Sequence, residues 1–397
     1  MKIFHGFKIN TIRGDFFGGL TAAVVALPLA LAFGVASGLG PLPGLYGAII
    51  VGFFAALFGG TPTQITGPTG PMTVVVASIF LHFNKNLDIV FFVISLAGLI
   101  QIFIGISRIG EYVKKIPNSV VTGFMSGIGV IIIILQIPVL FGLGSEGSVL
   151  SSLSKLQNIY DFNHNSLVIG IIGLIIVIYF PKKLDLFIPR PVIALLVGTI
   201  LTSAYFTNQK LIGEIPSGIP SFSIYIPSYK ELPEIIYFSI MLAALGIIDS
   251  LLTSVVADNM TNTTHLPNKE SIGQGIGNII SGFFGGLAGA GATMRTVVNI
   301  QNGGKTHFSG LTHSIILILI LIVFGKYAST IPLAILAAIL LKVGFDIIDW
   351  EFISKIKSKT KIDIFTALIV TLLIIFVNLI IAIFVGTLIY YIYTKYK

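Results

Sequence analysis

Residues 67–76 read GPTGPMTVVV and residues 289–298 read GAGATMRTVV. The two phrases align Met72 with Met294, and each continues into a Thr-Val-Val triplet. Glycine and threonine precede the apolar run in both phrases, and proline is present in the first, which predicts extended backbone leading into a helix start. The spacing from Met72 to Met294 exceeds half of the 397-residue chain. The repetition therefore indicates two related halves.

The composition indicates a membrane protein. Hydrophobic residues make up 55% of the chain and charged residues only 10%, and the mean hydropathy is +0.98. A soluble domain normally has about 25% charged residues, so this chain has too few charges to coat a soluble body. The net charge of +8 suits contact with anionic lipid, and no nucleic-acid partner is expected.

Apolar runs predict fourteen membrane elements, since a spanning helix needs about 20 residues. Segments 71–82 and 293–301 are too short to cross alone and are predicted as half-helices. The other predicted segments are 16–37, 43–60, 88–107, 119–140, 166–181, 191–206, 235–258, 271–288, 308–325, 331–344, 362–377 and 379–394. Seven elements per half is an odd number, so the second half would enter from the opposite side. The predicted fold is an all-α membrane protein with a 7+7 inverted repeat.

The distribution of basic residues predicts the orientation. If the N-terminus is cytoplasmic and each element reverses direction, most of the 24 lysine and arginine residues fall on the inner side. Basic residues favour the cytoplasmic side of membrane proteins. The sequence therefore predicts a multi-pass protein of the inner membrane with both termini in the cytoplasm.

The half-helices predict an anion site. In an inverted repeat their N-terminal ends would meet at mid-membrane, where non-helical backbone must line a cavity. Thr69 and Thr293 stand at the expected cap positions, and free N–H groups with the positive ends of both helix dipoles would attract an anion. Arg295 adds a full charge. The alternative is a structural Arg295 that is neutralised by Asp249 or by backbone carbonyls.

Asp249 is the other charged residue in an apolar run, and Thr253 lies one turn later on the same helical face. Together with the free carbonyls of residues 289–293, these side chains offer hard oxygen ligands. A coupling cation at Asp249 is the favoured interpretation, because embedded ionisable groups are usually functional. Proton coupling through Asp249 and a simple Asp249–Arg295 salt bridge are the alternatives.

Residues 18–75, 249–310 and 331–350 resemble the SulP family of anion transporters along nearly the whole chain. Within that family the sequence is most similar to the sodium-dependent bicarbonate transporters of cyanobacteria. The resemblance implies a core (about 14–117 and 232–330) that moves against a gate (about 118–231 and 331–397) in an elevator-like manner. SulP proteins generally end in a cytoplasmic STAS domain, and residues 1–397 are expected to form a single membrane domain without one.

The resemblance also implies the site residues. Those matched to the sodium site are Asp249, Thr253, Gly291, Ala292 and Thr293. Those matched to the anion contacts of the bicarbonate branch are Thr69, Ala292 and Thr293. The half-helix starts add Gly70, Met294 and Arg295 to the residues expected to bind the anion. Arg295 departs from the bicarbonate branch, which has glycine there, whereas much of the wider family has arginine. An extra charge would favour sulfate or another divalent anion.

These observations lead to one functional expectation and several alternatives. We expect sodium-coupled bicarbonate uptake, with sodium as the coupling ion, no cofactor and no catalytic residues. A sulfate, oxyanion or carboxylate transporter coupled to protons or sodium is the alternative, as is an anion channel. An embedded enzyme would need a nucleophile–base pair or metal ligands, which the sequence lacks. A homodimer is possible.

Overall fold

The computed structural model describes residues 11–108, 117–144, 149–181, 189–206, 209–212, 222, 225–328, 330–377 and 379–395. These residues form sixteen α-helices and one two-stranded ladder. In chain order they are α1 (Ile12–Ala36), α2 (Pro41–Phe58), β1 (Thr66–Gly67), α3 (Gly70–His82), α4 (Leu87–Ile106), α5 (Asn118–Leu140), α6 (Val149–Lys155), α7 (His164–Tyr179), α8 (Arg190–Ala204), α9 (Leu232–Thr261), α10 (Pro267–Phe283), β2 (Ala290–Gly291), α11 (Thr293–Gln301), α12 (His307–Ala328), α13 (Leu333–Ile347), α14 (Trp350–Ser354), α15 (Lys361–Phe376) and α16 (Leu379–Lys395).

Each of the fourteen predicted segments corresponds to a helix, and the additional helices α6 and α14 are short. Five helices are long and apolar enough to cross a membrane by length and composition, namely α1, α2, α4, α5 and α9. Several shorter apolar helices accompany them in the described part of the chain. This pattern is typical of a multi-pass membrane protein.

The predicted segment 271–288 is displaced in the structure. Its helix, α10, begins at Pro267 and ends at Phe283. Proline is favoured in the first turn of a helix, where its missing N–H leaves no bond unmade. At the other end the chain turns through Gly285, whose φ of +66° suits glycine.

The helices pack in two groups. In the first, α4 and α2 pack against α10, while α1 and α2 pack against α12. In the second, α5 packs against α13 and α15, and α7 packs against α13. Close approach between α4 and α10 depends on glycine, because a Cβ built at Gly98 would lie 2.5 Å from the Gly275 carbonyl oxygen. The groups meet where α1 contacts α8 and α13, and where α3 contacts α5.

The two repeated phrases are joined directly by the ladder. Strands β1 and β2 pair antiparallel, with Thr66 opposite Gly291 and Gly67 opposite Ala290. Helix α3 begins at Gly70 and α11 begins at Thr293, only a few residues beyond each strand. The ladder therefore brings the starts of the two helices close together.

A buried carboxylate holds the loop before β1. Glu270 is 2% exposed, and its Oε2 accepts hydrogen bonds from the N–H groups of Gly60 and Thr61 at 2.8 and 2.9 Å. Its Oε1 accepts from Nε2 of Gln64 at 2.8 Å and Nε2 of Gln274 at 2.7 Å. Four donors from two segments thus satisfy one buried charge, which fixes the entry into β1.

We expect Glu270→Ala to lower the free energy of unfolding by about 3 kcal/mol or more, because it leaves several buried donors unpaired. Differential scanning calorimetry in detergent measures the effect as a lower melting temperature. Glu351→Ala is the control, since the Glu351 side chain is 78% exposed. Equal melting temperatures for the two variants would contradict the assigned role of Glu270.

Candidate functional site

A cavity of about 300 Å³ lies at the starts of α3 and α11. Helices α1, α5, α9 and α13 contribute the rest of its wall. All six residues predicted to bind the anion line it, namely Thr69, Gly70, Ala292, Thr293, Met294 and Arg295. Asp249 and Gly291 line it as well. The structure therefore brings the two groups of predicted site residues to one place.

The threonines do not cap these helices as the sequence predicted. Thr69 is the N-cap residue of α3, but its Oγ1 donates to Asp249 Oδ2 at 2.7 Å and makes no cap hydrogen bond. Ala292 is the N-cap residue of α11, and Thr293 is its first residue. The Thr293 hydroxyl lies 2.7 Å from Thr253 Oγ1 in a hydrogen bond. Both hydroxyl groups therefore form hydrogen bonds with side chains of α9.

The missing caps matter for the cavity. The first intrahelical bonds run from the N–H groups of Thr73 and Thr296 to the carbonyls of Thr69 and Ala292. The N–H groups of the preceding first-turn residues therefore have no intrahelical partner, and no side chain in the described part of the chain caps either helix. These donors and the two positive dipole ends face one cavity, which is the arrangement that an anion binds.

The predicted cation residues form a cluster of oxygen atoms. Asp249 is 6% exposed, and Thr253 is fully buried. Thr253 Oγ1 donates to the Gly291 carbonyl oxygen at 3.0 Å. Asp249, Gly291, Ala292 and Thr293 line the cavity, whereas Thr253 lies directly behind its wall. A carboxylate, two hydroxyls and a carbonyl are hard ligands that suit a cation such as sodium.

Arg295 contacts backbone rather than Asp249. It is 2% exposed, and its Nη2 donates to the Pro68 carbonyl oxygen. Its Nη1 is buried without a hydrogen-bond partner. Asp249 and Arg295 attract each other electrostatically, but in the described part of the chain the direct partner of Asp249 is Thr69. Of the structural alternatives, the backbone-carbonyl contact is the one present, and the salt bridge is not.

The wall of the cavity formed by α5 and α13 was not predicted from the sequence. Met125 from α5 and Val343, Asp346 and Ile347 from α13 line it. Only the pattern of Lys342 and Asp346 in an otherwise apolar helix could have singled out α13. The side chains of α5 gave no signal, because an apolar residue at a cavity looks the same in sequence as one in the core.

Comparison with known proteins places the chain among anion transporters. Residues 12–370 match the Sulfate permease family. The bicarbonate transporter BicA of Picosynechococcus sp. is 46% identical over 97% of this chain and 70% of its own length. The putative sulfate transporter YvdB of Bacillus subtilis is 32% identical over 98% of this chain and 75% of its own length.

A solved structure has the same fold. The transmembrane domain of a cyanobacterial bicarbonate transporter BicA superposes with a TM-score of 0.86 at 44% identity. The match covers 98% of this chain and 99% of that structure.

Proposed function

The chain belongs to the sulfate permease (SulP) family of anion transporters, and on that premise we propose that it imports bicarbonate together with sodium across the inner membrane. Like its relatives, it is a transporter and not an enzyme. The observation that carries the proposal is the pair of uncapped helix starts at one cavity.

The anion binds at these helix starts. Bicarbonate has oxygen atoms that accept hydrogen bonds, and the first-turn N–H groups of α3 and α11 are donors without intrahelical partners. Arg295 adds positive potential from the wall, while its Nη2 holds the Pro68 carbonyl and so keeps the loop before α3 in place. Apolar Leu29 and Phe33 from α1 complete the site.

Sodium binds at the Asp249 cluster and neutralises its carboxylate. Without a cation, the Asp249 charge would oppose an anion in the same cavity. Sodium and the anion would therefore each favour binding of the other, and this mutual effect is the basis of coupled transport.

The transport step is an elevator-like movement of core against gate, within a 7+7 inverted repeat. Two observations support it: the helices pack in two groups, and the cavity lies where these groups meet. Helices α1, α3, α9 and α11 would carry the ions past α5 and α13. Both termini would be cytoplasmic, and the protein would act within the lipid bilayer as a monomer or a homodimer.

Uptake by purified protein in proteoliposomes tests the proposed function. We expect uptake of labelled bicarbonate to saturate and to require an inward sodium gradient. Flux that does not saturate and ignores sodium would instead indicate a channel. Uptake that follows a pH gradient without sodium would indicate proton coupling.

Sulfate is the second candidate, and Arg295 is the observation that favours it. A fixed positive charge attracts a divalent anion more strongly than a monovalent one. The 32% identity to a putative sulfate transporter is consistent with this alternative. Faster uptake of labelled sulfate than of bicarbonate in the same vesicles would make sulfate the substrate.

Because the chain has no cysteine, a single introduced cysteine can report on the cavity. Met294 lines the cavity and is 43% exposed. We expect a negatively charged thiosulfonate to modify the Met294→Cys variant, and bicarbonate to slow the reaction over the concentration range of its KM. Tyr229→Cys is the control, since Tyr229 is 93% exposed and lies outside the cavity. Equal slowing at both positions would contradict binding at the α11 start.

A further inference from the structure

An ion pair stands on the α13 wall of the cavity. Lys342 Nζ contacts Asp346 Oδ1, and the two side chains are 26% and 35% exposed. Asp346 lines the cavity together with Val343 and Ile347. A Cβ built at Gly70 would lie 3.1 Å from Ile347 Cδ1, so this end of α13 packs against the start of α3. Asp346 thus faces the proposed anion site from the other helix group.

Helix stability does not account for this pair. Asp346 is in the last turn of α13, which ends at Ile347, and an acidic residue there opposes the helix dipole. The lysine precedes the acid by four residues, which is the less favourable order for such a pair. Partly exposed pairs of this spacing also contribute little to stability. A carboxylate on the wall of an anion site therefore calls for another explanation.

We propose that Lys342 and Asp346 set the affinity and charge preference of the cavity for its anion. An unpaired Asp346 would repel the substrate, and Lys342, which does not line the cavity, cancels most but not all of that repulsion. Asp346 in turn offsets part of the positive potential from Arg295 and the helix starts. The pair thereby favours a singly charged anion over a doubly charged one. This inference rests on the proposed function, because it requires an anion in the cavity.

Four proteins test the proposal: the wild type, Lys342→Met, Asp346→Asn and the double variant. We expect Lys342→Met to raise the KM for bicarbonate roughly tenfold, since it leaves a carboxylate unpaired near the anion. Vmax and melting temperature should stay near the wild-type values. Asp346→Asn should strengthen inhibition by sulfate more than binding of bicarbonate. The double variant should return the KM to within about threefold of the wild type, because charge is balanced again.

Lys355→Met provides a matched control. Lys355 pairs with Glu351 at 2.7 Å with the same spacing of four residues, but neither residue lines the cavity. Its KM should equal that of the wild type. Raised ionic strength should reduce the KM difference between Lys342→Met and the wild type, since screening weakens charge effects.

Two results would overturn the proposal: an unchanged KM in Lys342→Met, or a double variant as impaired as Lys342→Met. Wild-type protein that transports neither bicarbonate nor sulfate would instead refute the proposed function. Normal wild-type transport with unaffected variants would refute only the role of the ion pair.

Discussion

Sodium-stimulated bicarbonate uptake is expected to fall about a hundredfold or more in Asp249→Asn. The substitution keeps an oxygen that can accept the Thr69 hydrogen bond but removes the charge that would bind the cation. A hundredfold loss of affinity corresponds to about 2.8 kcal/mol, since each factor of ten is about 1.4 kcal/mol. Removing one partner of a buried charge pair typically costs more than this amount. Initial rates of labelled bicarbonate uptake across a series of sodium concentrations measure the effect.

The control for this prediction is Asp88→Asn. Asp88 is an exposed residue in the first turn of α4 and does not line the cavity, so its loss should leave sodium dependence unchanged. An Asp249→Asn variant with normal sodium dependence would remove Asp249 from the cation site. If a pH gradient drives bicarbonate uptake by the wild type and this dependence is lost in Asp249→Asn, the coupling ion is the proton.

Replacing Arg295 by Gln should change the preference among anions. At an effective dielectric constant of about 20, two unit charges about 8 Å apart interact with an energy of about 2 kcal/mol, and for a divalent anion that energy is doubled. We therefore expect sulfate to compete with bicarbonate at least tenfold less well in Arg295→Gln. The inhibition constant of sulfate against labelled bicarbonate uptake measures this change.

Arg295→Lys is the matched variant, because it keeps the charge but loses the planar guanidinium that holds the Pro68 carbonyl. If charge sets the preference, Arg295→Lys should retain the sulfate competition of the wild type even where its Vmax is lower. If both variants lose transport equally and the competition profile stays unchanged, the role of Arg295 is structural.

The helices were predictable because membrane-spanning helices consist of long runs of apolar residues. Even the short α3 and α11 were marked by the glycine and threonine residues at or just before their starts. The pairing of β1 with β2 was not predicted, since strands of two residues are too short to show alternation. The limits of α10 were also misplaced, because apolar residues continue past its end at Phe283 into a turn.

The site was predictable where chain order and helix-end chemistry determine it. The structure brings Thr69 and Arg295 to one cavity, as the repeated phrases indicated. Contacts between segments that are distant in the chain could not be predicted, because no local sequence pattern identifies the partner. Asp15 directly precedes the predicted segment 16–37, which suggested a capping role, but α1 begins at Ile12 and its N-cap residue is Thr11. The Asp15 carboxylate instead accepts hydrogen bonds from the N–H groups of Lys305 and Thr306 at 2.6 and 2.8 Å.

In the proposed transporter, the anion lies between the starts of α3 and α11. Solid-state NMR of the protein in lipid, with carbon-13 bicarbonate and nitrogen-15 labelled backbone, measures the distance from the bound anion to individual amides. We expect dipolar dephasing of the bicarbonate carbon by the amides of Gly70, Thr293 and Met294, with sodium required for the signal. Bound bicarbonate that is dephased only by amides elsewhere, in a sample that still transports, would contradict this placement of the anion.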